Sequence, residues 1–156
     1  MSDTRPDAIP AVSVPVETGT VYPAPFSARV AGREKRRLGQ AFGLKNFGVN
    51  LTRLPVGAVS SLRHRHAKQD EMVYVLEGTP VLVTDRGETV LAPGSCAGFP
   101  AGGVAHQLVN RGPGDAVYLE IGDRTAGDQV EYPDDDLVAV LVDGRWRLTH
   151  KDGASY

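Results

Sequence analysis

Arg63-His64-Arg65-His66-Ala67-Lys68-Gln69-Asp70-Glu71 is the stretch whose reading decides the fold. Residues two apart in a β-strand point to the same face. His64 and His66 therefore project together, about 7 Å apart along the backbone, while Arg63 and Arg65 point the other way. Ala67 to Asp70 is a short polar linker, after which Glu71 opens the apolar run Met72-Val73-Tyr74-Val75-Leu76. A strand returning beside the first would bring the Glu71 carboxylate back toward the two imidazoles. Nitrogen and oxygen ligands on one wall suit a divalent metal ion.

The rest of the chain shares this period of two. Phe47, Val49 and Leu51 alternate, and apolar segments follow at 59–66, 71–76, 80–84, 88–91, 96–99, 106–109, 116–121 and 137–142. Turn residues separate them: Glu77-Gly78, Asp85-Arg86-Gly87, Pro93-Gly94 and Gly102-Gly103. Asp143-Gly144 is a two-residue hairpin signal. The 18 glycines and 11 prolines suit many short strands joined by tight turns. No internal repeat of motif length is present, so the pattern predicts one all-β barrel and not two fused copies. A third histidine of the chain's four, His106, shares its strand face with Leu108 and Asn110. If that face lines the barrel, His106 completes a shell of three histidines and one carboxylate. Such a shell leaves one or two positions for water, substrate or dioxygen. A lone strand histidine is more often a packing residue than a ligand; the constellation gives these their weight.

The whole chain, 156 residues with a formal charge of −2, is long enough for one domain with a core of its own. That balance gives no electrostatic reason to expect nucleic acid. The single cysteine, Cys96, rules out an intramolecular disulfide and reads as a buried small residue. No apolar run approaches the ~20 residues of a membrane helix, and residues 1–26 lack the basic start and apolar stretch of a secretory signal. A soluble cytoplasmic protein is the expectation. Residues 1–28 read as an extended arm punctuated by Pro10, Pro15, Pro23 and Pro25, either disordered or laid as an edge strand across a neighbour. The barrel domain then covers 29–156. The basic run Arg33-Glu34-Lys35-Arg36-Arg37 reads as a solvated turn, and Asp134-Asp135-Asp136 as its solvated acidic counterpart. Tyr74, Phe99 and Trp146 read as packing residues, Phe99 with the option of facing the pocket. In the strand from Glu71, both faces are apolar, so the outside needs cover. No amphipathic helix is available to supply it, and a homodimer is the simplest source.

Gly57, His64-x-His66, Glu71 and Gly78 together resemble the first motif of the cupin superfamily, and Gly94, Pro100-x-Gly102, His106 and Asn110 resemble the second. The chain is also similar to small single-domain bacterial cupins of uncertain activity. One extra residue between Gly57 and His64, and one between Gly102 and His106, departs from the simplest pattern; both fall in turns. The resemblance is close over 47–121 and looser outside. It implies a double-stranded β-helix, or jelly-roll, barrel with a metal ion held inside by His64, His66, Glu71 and His106. Fe, Mn, Ni, Co and Zn all fit such ligands. Alternation adds Val73, Val75, Phe99 and Leu108 as walls of a mostly apolar substrate pocket.

Three functions compete. The first is a metal-dependent enzyme on a small organic substrate, dioxygenase-like if the ion is redox-active, isomerase- or lyase-like if it acts as a Lewis acid. The second is a small-molecule binding or sensing module without catalysis, with no room for a DNA-binding helix pair in the proline-rich N-terminal region. The third is a metal-free structural or sugar-binding barrel.

Overall fold

Most of the alternating segments become strands at the expected places. The structure, a computed structural model, describes residues 5–156. In chain order the elements are a helical turn α1 (Phe26–Arg29), strand β1 (Glu34–Arg37), a second turn α2 (Leu38–Ala41), then β2 (Phe47–Leu54), β3 (Arg65–His66), β4 (Glu71–Glu77), β5 (Val81–Thr84) and β6 (Gly87–Val90). They continue through β7 (Cys96–Phe99), β8 (His106–Val109), β9 (Ala116–Asp123), β10 (Gln129–Tyr132), β11 (Leu137–Val142) and β12 (Arg145–Thr149). One sheet runs β1-β2-β9-β4-β7; a second runs β12-β11-β10-β3 and a third β6-β5-β8. Every paired strand is antiparallel to its neighbour. Bridges His64↔His106 and Val59↔Val109 join the last two sheets into one wall facing the first. The all-β barrel is thus a double layer whose inner faces carry the core.

Burial follows the alternation. In β4, Val73 and Val75 are buried while Met72, Tyr74 and Leu76 stay exposed; in β9, Ala116 and Tyr118 are buried. One apolar cluster joins Leu54, Val75, Leu91, Leu108 and Tyr118, and a second joins Phe26, Leu62, Val130, Leu137 and Ala139. Asn110, fully buried, ties the turn after β8: its Nδ2 donates to the carbonyls of Leu54 and Gly114 at 2.8 and 2.9 Å, and its Oδ1 accepts from Gly112 N at 3.0 Å. Asp143 and Gly144 both take positive φ, 50° and 75°, as a tight hairpin between right-twisted strands requires.

Several expectations are corrected. The segment 59–66 is mostly irregular, with only Arg65 and His66 in a strand, and β3 pairs with β10, not β4. Glu71 therefore reaches the histidines across the barrel and not from an adjacent strand. The arm, over the residues described, lies on its own barrel. Glu17 bridges Lys35, and Phe26 is buried with Val30 in the second cluster. The run Glu34–Arg37 is a strand and not a solvated turn, because its alternate residues find partners on β2 and in the barrel interior. Asp134, Asp135 and Asp136 pair with Arg63, Arg29 and His150 in turn, not with the basic run. Cys96 is exposed, since it lies opposite Tyr74 on the outer face of the edge strand β7. Tyr74 shares that exposed face.

Gly78 turns the chain from β4 toward β5 at φ 75°, and a Cβ there would meet the Asp115 carbonyl oxygen and sit 2.7 Å from Ala116 Cα. Gly94 has φ 87° but open space around it. Positive φ alone costs an L-residue about 1–2 kcal/mol. Gly94→Ala should lose about that much in chemical denaturation. Gly78→Ala, with backbone in the way, should lose clearly more; equal losses would contradict the packing described.

Candidate metal centre and cavity

The histidine-bearing segment is fixed from both sides. On the outside, Arg63 forms a double hydrogen bond with Asp134, at 2.7 and 2.8 Å, and pairs with Asp85 as well; Arg65 holds Glu131 on β10 at 2.6 Å. Such charge-assisted bonds are short and directional. On the inside, His64 and His106 face each other across an antiparallel bridge: His64 N donates to His106 O at 3.1 Å and His106 N to His64 O at 2.8 Å. Their rings stand 4.7 Å apart, and those of His64 and His66 5.2 Å apart. Phe99, from the end of β7, stacks flat on His106 at 3.5 Å.

Glu71 enters from the facing sheet. Its Oε2 lies 3.0 Å from His106 Nε2 and 3.4 Å from the Nε2 atoms of both His64 and His66. Ligand atoms of His64, His66 and Glu71 fall within 4.8 Å of one another. His106 Nε2 approaches Glu71 Oε2, but the ligand atoms gathered within one ion's reach are those of His64, His66 and Glu71.

The tautomers favour coordination through Nε2. His66 Nδ1 is 2.5 Å from Asp128 Oδ2, and His64 Nδ1 is 2.9 Å from the Leu62 carbonyl. A carboxylate and a carbonyl only accept, so both Nδ1 atoms carry hydrogen, and a neutral ring then turns its Nε2 lone pair toward Glu71. Carboxylate–histidine pairs of this kind orient metal-ligating imidazoles. Two nitrogen donors and one oxygen within one ion's reach, with His106 beside them, fit a divalent transition metal.

Without a metal the same geometry favours charge. Burial pushes the His66 imidazole down, but hydrogen bonds and charges from Glu71 and Asp128 outweigh it and raise its pKa to about 9. Burial would raise the Glu71 carboxyl, yet the three imidazoles hold it well below the usual carboxylate range. His106, with burial dominant, is lowered.

This cluster forms one side of a cavity of about 480 Å³. Val73, Phe99 and Leu108 line it, as the alternation predicts, whereas Val75 belongs to the packed cluster and is not among the lining residues. Trp146 lines it too. The cavity is more polar than the sequence reading allows. The arm contributes Thr20 and Tyr22, β1 contributes Lys35 and Arg37 with Arg33 just before it, and β2 and β9 contribute Asn50 and Glu120. Glu120 Oε1 accepts from Lys35 Nζ at 2.6 Å and Asn50 Nδ2 at 3.1 Å. Burial alone would raise the Glu120 carboxyl, but the Lys35 charge and hydrogen bond win and lower it. The alternation Arg33-x-Lys35-x-Arg37 was the signal that could have placed these cations on one face. For Asp128, far from His66 in sequence and ahead of a strand that no apolar run announces, there was none.

A barrel of this topology with inward histidines and a glutamate could hold a metal ion. The family model for a cupin domain matches residues 50–122. A cupin-superfamily sugar phosphate isomerase from Silicibacter pomeroyi is 45% identical, with 96% of each chain covered and a TM-score of 0.91. A candidate sugar phosphate isomerase from Acidithiobacillus ferrooxidans is 32% identical over 83% of each chain, with a TM-score of 0.75. A polyketide cyclase from Streptomyces resistomycificus shares the fold at 21% identity and a TM-score of 0.63, covering 74% of this chain and 78% of its own. A comparison with curated proteins found no match. The chain belongs to the cupin superfamily.

Asp128→Asn removes the charge behind His66. In the metal-free protein, NMR titration should then find the His66 pKa well below about 9. A pKa raised on folding contributes stability that is complete below the unfolded value, ~6.5, and disappears as pH rises through the folded one. The metal-free wild type should therefore lose stability toward pH 9, and the variant should lose less over the same range. An unchanged His66 titration would contradict the role given to Asp128.

Proposed function

We propose that this chain is a metal-dependent isomerase of a small phosphorylated sugar, with His64, His66, Glu71 and His106 holding one divalent transition metal ion. The observation that carries the reading is the meeting of three Nε2 atoms at Glu71 Oε2 on the wall of a cavity large enough for such a substrate. The likeness to the Silicibacter pomeroyi isomerase supports that branch over an oxidative one. When bound, the ion supplies Lewis-acid polarisation of a carbonyl or enolate oxygen.

The chain's own residues supply the rest. Aldose–ketose isomerisation moves one proton between adjacent carbons and a second from the hydroxyl to the carbonyl oxygen, so a general base is needed beside the polarised carbonyl. Glu71 is committed to the metal. Glu120 is the second carboxylate on the same inner face: Val73 pairs with Glu120 and Glu71 with Gly122, so the two acids are diagonal neighbours. Both hydrogen bonds to Glu120 end on Oε1, which leaves Oε2 without a partner among the described residues. The lowered pKa keeps the group ionised at neutral pH. Val73, Phe99 and Leu108 shield the reacting carbons from water.

Purified protein loaded in turn with Mn, Fe, Co, Ni and Zn should interconvert at least one aldose phosphate and its ketose phosphate by NMR. His64→Ala/His66→Ala should lose both metal and activity. Glu120→Gln should keep its metal and lose about 10²–10⁴ in kcat. No turnover with any metal across aldose phosphates of three to seven carbons would refute the reading.

We further propose a homodimer, formed by the exposed outer stripe of Met72, Tyr74 and Leu76, each near 40% exposed. An apolar stripe on a strand already buried inside is a favourable surface for a second copy. Light scattering should give twice the chain mass, and Tyr74→Glu should give the single mass; a monomeric wild type would contradict it.

A further inference from the structure

The cavity face of β1 carries a property that the metal cluster does not use. Arg33, Lys35 and Arg37 are spaced by two and all line the cavity. Two of them have carboxylate partners: Lys35 Nζ is 2.6 Å from Glu120 Oε1, and Arg37 Nε is 2.7 Å from Glu17 Oε2. Arg33 has none within ion-pair distance among the described residues. Its Nη1 donates instead to the backbone carbonyl of Ser60, beside the histidine-bearing segment.

A guanidinium offers five N–H donors in a fixed fork. One carbonyl satisfies a small part of that capacity and none of the charge. Holding a half-buried cation without a counter-ion is unfavourable unless an anion arrives with the ligand. Lys35 has donors beyond the one Glu120 takes, and the hydroxyls of Thr20 and Ser61 line the same space. A carboxylate has two oxygens to share among these groups, whereas a phosphate monoester has three and up to two charges.

We propose that Arg33 and Lys35 form the subsite for the phosphate group of the ligand, with Thr20 of the N-terminal arm closing its side. This rests on the isomerase reading for the sugar but not for the anion. The arm then has a function: by bridging Glu17 to Lys35 it completes the pocket from its own chain.

Titration calorimetry of inorganic phosphate into chelator-treated full-length protein, at constant ionic strength, tests this without metal or turnover. The wild type should bind phosphate saturably. Arg33→Gln should weaken it at least tenfold, and Arg33→Lys, which keeps the charge but loses the fork, by less. Circular dichroism establishes that each variant is folded; if Arg33→Gln is not, Arg33→Lys alone must still weaken binding. Equal affinities, no saturable binding by folded wild type, or acetate binding as tightly as phosphate would overturn the proposal. Phosphate binding at Arg33 without turnover of any sugar phosphate would sink the isomerase reading and leave the subsite standing. Turnover of unphosphorylated sugars that phosphate does not inhibit would do the reverse.

Discussion

One carboxylate oxygen, Glu71 Oε2, sits among three imidazole nitrogens at 3.0, 3.4 and 3.4 Å, and it arrives from the sheet opposite the one that carries them. Removing one partner of a buried charged group is strongly destabilising, about 3–5 kcal/mol. The two walls of the barrel are thus held in one spacing at the site. Much of the surrounding structure serves that meeting. Arg63 and Arg65 anchor the histidine segment from outside, and Asp128 fixes the His66 ring.

The barrel and the cluster use the same period of two for different ends. Along β4 the inward positions are Glu71, Val73 and Val75: one ligand-type side chain, one cavity wall, one core residue. Along β9 they include Tyr118, which packs in the core and also lines the cavity, and Glu120, which faces the cavity. Polar groups thus gather toward one end of the barrel and apolar groups toward the other. The candidate site sits where the core stops, and the core keeps its walls rigid. A site built on strands in this way is held more tightly than one built on loops.

How much of this was legible in the sequence depended on whether the signal was local. The strands from β4 to β9, the Asp143-Gly144 hairpin and the four converging side chains all follow from alternation, turn residues and motif spacing. Two features did not. The route by which Glu71 meets the histidines depends on sheet order, which pairs β3 with β10, and no local pattern encodes that. The cavity's cationic wall lies in a strand of charged residues, Glu34–Arg37, where period two is carried by charge and not by hydrophobicity. A rule that reads strands from apolar alternation passes over it. Asp128 was invisible for a third reason: its partner lies 62 residues away, and only the folded chain brings them together.

X-ray absorption spectroscopy at the metal edge of the loaded protein tests the central claim most directly, because it counts ligands by type without reference to any reaction. The account predicts a first shell with imidazole scattering from three histidines and at least one oxygen, falling to two imidazoles in His106→Ala. A wild-type spectrum showing fewer than two imidazoles, or one that His106→Ala leaves unaltered, would contradict it.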